Sequence, residues 1–194
     1  MQTTRAAFLA RGAKGGLALV GGGALLGLAE GPALAASSAD SDIAKLAATA
    51  ELLAIDFYKR AIASKRFSGD ELGYMQAALG NEEAHYKALA GVLMGAAPKN
   101  LKFKYPNGSF KSAKAIGGLG QALETAFVGA YMGAVTALKS NELKGVAAQI
   151  GANESRHLSV LTNIAAGGVI VPAPALPKVL TAKQATAAVT PFLG

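Results

Sequence analysis

The 194-residue sequence contains no cysteine and no tryptophan, only two histidines, and aromatic residues at just 6%. Without cysteine there is no disulfide, no thiolate zinc or iron–sulfur site, no cysteine nucleophile and no lipidated N-terminal cysteine. The scarcity of aromatics, set against abundant Ala and Gly, argues against a sheet-rich core and for closely packed helices. A Lys/Arg run is also missing. The formal net charge of +7 is spread along the chain, which describes a solvated surface better than a nucleic-acid interface. No composition break divides the chain, and 52% hydrophobic residues suffice for one domain with one buried core.

Residues 1–36 read as a signal peptide. Arg5, Arg11 and Lys14 form a basic start, Gly15 to Leu28 is apolar and uncharged, and Ala33-Leu34-Ala35 offers a small-residue cleavage site. A retained anchor is the competing reading, but the apolar run falls short of the roughly 20 residues a membrane span needs. Arg5-Ala6-Ala7-Phe8-Leu9 resembles a twin-arginine export motif with alanine in place of the second arginine. The expected mature protein is therefore exported, periplasmic or extracellular, with no stable membrane span. Removing Arg5, Arg11, Lys14 and Glu30 lowers the net charge from +7 to +5.

Four stretches carry apolar residues at helical spacing. The first is expected to open at Ser41-Asp42 and run to about Ser64, and the second to follow a capping-box-like start at Ser68–Glu71 and run to about Gly95. The third ends near Lys139, and the fourth runs from about Asn141 to Gly167. Short links near 65–69 and at Ser140 predict two antiparallel hairpins. Between the hairpins lies a long connection broken by Pro98, Pro106 and Asn107-Gly108. The expected fold is all-α: a four-helix bundle over residues 37–170 with one long crossover. An extended, Pro-punctuated tail over 171–194, with a short helix from Thr181 to Val189, is expected to wrap its exterior. Met75, Met94 and Met132 read as core filler.

Both histidines sit in the same context. Asn81-Glu82-Glu83-Ala84-His85 lies in the second helix and Asn153-Glu154-Ser155-Arg156-His157 in the fourth, each reading Asn-Glu-x-x-His. Residues i and i+3 of a helix share a face, so the carboxylate and imidazole of each motif can bind one metal. Glu51 in the first helix and Glu124 in the third stand among apolar residues, where a lone charge is costly to bury without a partner. The spacings repeat: Glu51 to Glu124 is 73 residues, and both Glu82 to Glu154 and His85 to His157 are 72. Two copies of one helix pair would bring six ligands to mid-bundle. Four carboxylates balance two divalent ions, and oxygen and imidazole donors without thiolate suit iron or manganese, with zinc as an adventitious occupant. Glu83 and Arg156 are expected to face outward or to sit behind the ligands.

The succession Glu, Glu-x-x-His, Glu, Glu-x-x-His over about residues 41–167 resembles the ferritin-like superfamily of ferritins, bacterioferritins, rubrerythrins and manganese catalases. The resemblance implies a two-iron centre, or two manganese ions, in which Glu82 and Glu154 bridge and Glu51 and Glu124 are terminal. Tyr58 matches a tyrosine that ferritins and bacterioferritins keep beside their di-iron centre, which makes it the candidate catalytic residue. Tyr131 stands at the same offset from Glu124, and ordinary core packing is the competing reading for both. The leader and tail are more similar to exported ferritin-like and plant desiccation-related proteins than to cage-forming ferritins. The leading expectation is an oxidoreductase of ferroxidase or peroxidase type, or an iron-handling protein, serving stress protection. Its expected partners are metal ions and dioxygen or peroxide, and a homodimer is compatible with the bundle. A non-enzymatic stress or desiccation factor with a structural metal, and a manganese catalase, are the alternatives.

Overall fold

The computed structural model describes residues 37–194, so the leader read at 1–36 lies outside the described residues. Its helices are α1 (Ser38–Ala63), α2 (Gly69–Val92), α3 (Ala113–Ala137), α4 (Asn141–Ala165) and α5 (Ala182–Val189), followed by a 3₁₀ turn at Thr190–Phe192. Among the described residues there is no strand and no helix long and apolar enough to cross a membrane. The expected all-α bundle with one long crossover is what the described residues form. α1 pairs chiefly with α2, and α3 with α4.

Side-chain caps set most of the helix starts. Ser112, Ser140 and Thr181 each accept a hydrogen bond from the backbone N–H three residues on, and Thr181 completes a reciprocal capping box with Gln184. Ser68 takes the cap position of α2 but forms no such bond, which leaves Asp70 and Glu71 to favour the positive end of that helix.

α1 begins earlier than its sequence suggests. Ser37 caps it, accepting from Asp40 N–H at 3.2 Å, so Ser41-Asp42 is already inside the first turns. The cause is Asp40, whose carboxylate is only 2% exposed and accepts the backbone N–H groups of Lys139 (2.9 Å) and Ser140 (3.1 Å). The Lys139 N–H is the main influence holding its carboxyl below the usual range, against the opposing effect of burial. One acid thus ties the start of α1 to the α3–α4 link. Asp40→Ala should lower the melting temperature by leaving two backbone donors unpaired, while exposed Asp42→Ala should not. Thermal melts showing equal losses for the two variants would mean that Asp40 is no clasp.

The crossover is fastened along its length. Tyr86 donates to the Pro98 carbonyl at 2.8 Å, Tyr105 donates to the Leu53 carbonyl at 3.3 Å, and the Arg60 guanidinium lies over the Tyr105 ring. Its middle pairs with the C-terminus through Lys104 N–H to Phe192 O and Gly194 N–H to Lys102 O. Only the second half of the tail lies tightly on the bundle. A methyl group on Gly133 would collide with the Leu180 carbonyl oxygen, and Leu180 N–H donates to the Gly129 carbonyl. Two glycines one turn apart therefore let the tail backbone touch α3. Before that contact, Val169, Ile170 and Leu176 stay exposed.

Two apolar clusters divide the interior. One contains Leu53, Phe57, Met75, Ile116, Leu123 and Leu161, and the other Ala44, Ala48, Leu89, Leu143, Val146 and Ile150. Of the three methionines read as filler, only Met75 is. Met94 is 66% and Met132 38% exposed. Met94 sits in the turn beyond α2 at positive φ, and Met132 lies on the outer face of α3, next to inward-facing Tyr131.

Candidate metal centre

Between the two apolar clusters, each bundle helix turns acidic side chains inward. Glu51 comes from α1, Glu82 and His85 from α2, Glu124 from α3, and Glu154 and His157 from α4. All six are at most 5% exposed. Helical periodicity puts them there, because Ala48 and Ala54 flank Glu51 on the buried side of α1, and Ile150 and Leu161 do the same for the α4 motif.

The Nδ1 atoms of both imidazoles point into the cluster. His85 Nδ1 lies 3.0 Å from Glu154 Oε1 and 3.3 Å from both Glu51 Oε2 and Glu82 Oε2. His157 Nδ1 lies 2.7 Å from Glu82 Oε1, 3.0 Å from Glu154 Oε2 and 3.9 Å from Glu124 Oε1. The imidazole centroids are 6.4 Å apart. Two sets of ligand atoms lie within 4.8 Å of one another: Glu51, Glu82, His85 and Glu154, and then Glu82, Glu124, Glu154 and His157. Glu82 and Glu154 belong to both sets, as residues that bridge two ions must.

The donor set fits divalent cations. One buried oxygen of each carboxylate (Glu51 Oε2, Glu82 Oε1, Glu124 Oε2 and Glu154 Oε1) has no hydrogen-bond donor. Glu82 Oε1 and His157 Nδ1 are close without the alignment a hydrogen bond requires. Atoms that converge on a shared space while missing one another are arranged as ligands are around an ion, and unsatisfied buried groups otherwise need an explanation.

Protons take up the electrostatic load in the metal-free chain. Burial, and next the Glu154 charge, push Glu51 well above the usual carboxylate range. Burial, Glu154 and Glu82 do the same to Glu124. Burial would also raise Glu82, but the His157 and His85 imidazoles outweigh it and hold this carboxyl at about 2. Burial favours neutral imidazoles, yet the surrounding carboxylates, Glu154 foremost, raise His85 to about 12 and His157 to about 9.

The tyrosines cross between hairpins. Tyr58 of α1 donates to Glu124 Oε1 at 2.8 Å, and Tyr131 of α3 donates to Glu51 Oε1. Burial and then the adjoining glutamate charge raise both phenols well above their ordinary value, so both remain donors. Glu83 and Arg156 are exposed, and Glu83 pairs with Lys59 at 3.3 Å.

Two neighbours escaped the sequence. Asn81 of the repeated motif meets His157 Nε2 at 3.2 Å, whereas Asn153 Oδ1 is buried without a partner. Tyr74 stands edge-on to the His157 ring and its buried hydroxyl is also unpartnered. The repeat could have suggested the asparagines. It could not have found Tyr74, because the position 72 residues later is Val146.

Comparison with known proteins agrees with the geometry. A family model described as a ferritin-like domain matches residues 39–166. No curated protein matches the chain significantly.

Proposed function

The chain belongs to the ferritin-like domain family, and from that premise we propose that it is an exported di-iron protein oxidising ferrous iron or removing peroxide. The observation that carries the reading is the pair of overlapping ligand sets sharing Glu82 and Glu154. Two bound iron ions would supply redox equivalents at a separation one oxidant can span.

The chain's own residues do the rest. Glu82 and Glu154 would hold both positions, Glu51 with His85 would complete one, and Glu124 with His157 the other. Tyr58 fixes the free rotation of Glu124, and Tyr131 that of Glu51, each by a hydrogen bond from the opposite hairpin. The apolar clusters on either side keep bulk water from the ligands. Export rests on the basic and apolar segments of residues 1–36, and a mature N-terminus just after Ala35 is the expected finding on sequencing secreted protein.

Ferrous iron added to the metal-free chain in air should be bound at two ions per chain, with dioxygen consumed as it oxidises. An oxygen electrode and elemental analysis read both quantities. Two ions bound without oxygen uptake would replace the oxidase with a structural metal protein. Manganese in the native protein, with oxygen evolved from peroxide, would make it a catalase.

A further inference from the structure

Between α1, α3 and the C-terminal helix α5 the fold leaves an apolar cavity of about 230 Å³. Its walls include Ala47 and Ala50 of α1, Ala126 and Ala130 of α3, and Leu180 and Ala185 of the tail. Neighbouring bundle helices sit about 8–10 Å apart. Ile43 and Leu46 of α1 and Phe127 and Tyr131 of α3 also border the space, but alanines hold its middle and leave it unfilled. α5 roofs this gap with Ala182, Ala185 and Val189 and does not enter it. The space opens to solvent at its rim, so its apolar lining faces water unless an apolar group covers it.

The wall is almost wholly apolar and offers little to a polar guest. The Thr136 hydroxyl is bonded to the Gly133 carbonyl, the Thr181 hydroxyl is used in the cap of α5, and the Tyr131 hydroxyl is bonded to Glu51. A molecule with hydrogen-bonding groups would lose water there and gain few partners in return. Entry is open, since Thr136 and Ala137 on one rim and Val179 and Thr181 on the other are exposed. A carbon-lined cavity of about 150 Å³ is large enough for benzene.

We propose that this cavity is a binding site for a small apolar molecule, an alkylated aromatic ring or a compact hydrocarbon of about nine carbon atoms. Tyr131 lines the cavity and its hydroxyl reaches Glu51, so the occupant lies one phenol ring away from the carboxylate cluster. The site does not depend on which metal the cluster takes, or on turnover there.

Toluene titrated into the ¹⁵N-labelled full chain tests it, with phenol as the polar counterpart. Toluene should saturate at one per chain, shifting the amides of Ala50, Ala126, Ala130 and Ala185, and phenol should bind at least about tenfold more weakly. Ala130→Leu, which fills the space from α3, should abolish the toluene shifts without lowering the melting temperature. Ala47→Leu fills it from α1 and serves if the first variant does not fold. The absence of saturable toluene shifts, shifts confined to exposed Val169–Val171, or wild-type toluene binding by a filled variant would each overturn the site.

Discussion

Replacing Glu154 with glutamine should leave a chain that cannot hold two metal ions, yet that melts within about 5 °C of the metal-free wild type. Glu154 belongs to both ligand sets, so an amide there weakens both positions at once. Losing a hydrogen-bond partner behind a ligand already weakens metal binding by about 10–100-fold, and a ligand shared by two ions should exceed that. The metal-free chain is spared for an electrostatic reason. The Glu154 charge is prominent among the influences that raise Glu51 and Glu124. With it gone, one of those carboxyls can ionise and face the His85 and His157 imidazoles instead. Glutamine also keeps the side-chain volume, so no cavity is opened. Exposed Glu71→Gln should change neither property. Two tightly held ions in Glu154→Gln would mean that Glu154 bridges nothing.

The clustering of the six side chains was legible in the sequence because their signal is local and repeated. A glutamate three residues before each histidine needs only helical geometry to become a ligand pair, and the 72-residue repeat found their partners in α1 and α3. The start of α1 was not legible, since Asp40 gets its meaning from Lys139 and Ser140, about a hundred residues away. Met94 and Met132 fail for a related reason: hydrophobic identity does not say whether a residue faces the core, and one lies in a turn and the other on an outer helix face. The small residues show both outcomes. Gly117 and Gly120 do bring α3 against α4, where a methyl group would strike the Ala165 backbone or the Leu161 side chain. Where α1 faces α3, the same composition leaves a cavity, because no neighbour comes close enough to use the space. Composition can supply small surfaces, but the helix axes decide whether those surfaces meet.

Loading the metal-free chain with ferrous or manganous ion should raise its melting temperature by roughly 10 °C, and the rise should grow with pH. An ion that binds only the folded state contributes about 4 kcal/mol at a thousandfold excess over its dissociation constant, and a domain of this size gains about 2–4 °C per kcal/mol. The pH dependence follows from the protons the metal must displace. Glu51, Glu124, His85 and His157 all have folded pKa values above their ordinary ones. Groups of that kind contribute stability that is fully present below the unfolded pKa and lost as pH rises through the folded one. For His157 that loss spans the ordinary 6.5 to about 9, and for His85 it continues to about 12. The metal-free chain therefore weakens as pH rises from 6.5 to 9. The loaded chain keeps no proton on these groups and is spared that loss, while each displaced proton strengthens metal binding by about 1.4 kcal/mol per pH unit. Calorimetry in two buffers of different ionisation heat should count about two to four protons released per pair of ions at pH 7, one from each imidazole and the rest from Glu51 and Glu124. Metal binding without proton release, or a melting gain that shrinks between pH 6.5 and 9, would place the ions somewhere other than among these six side chains.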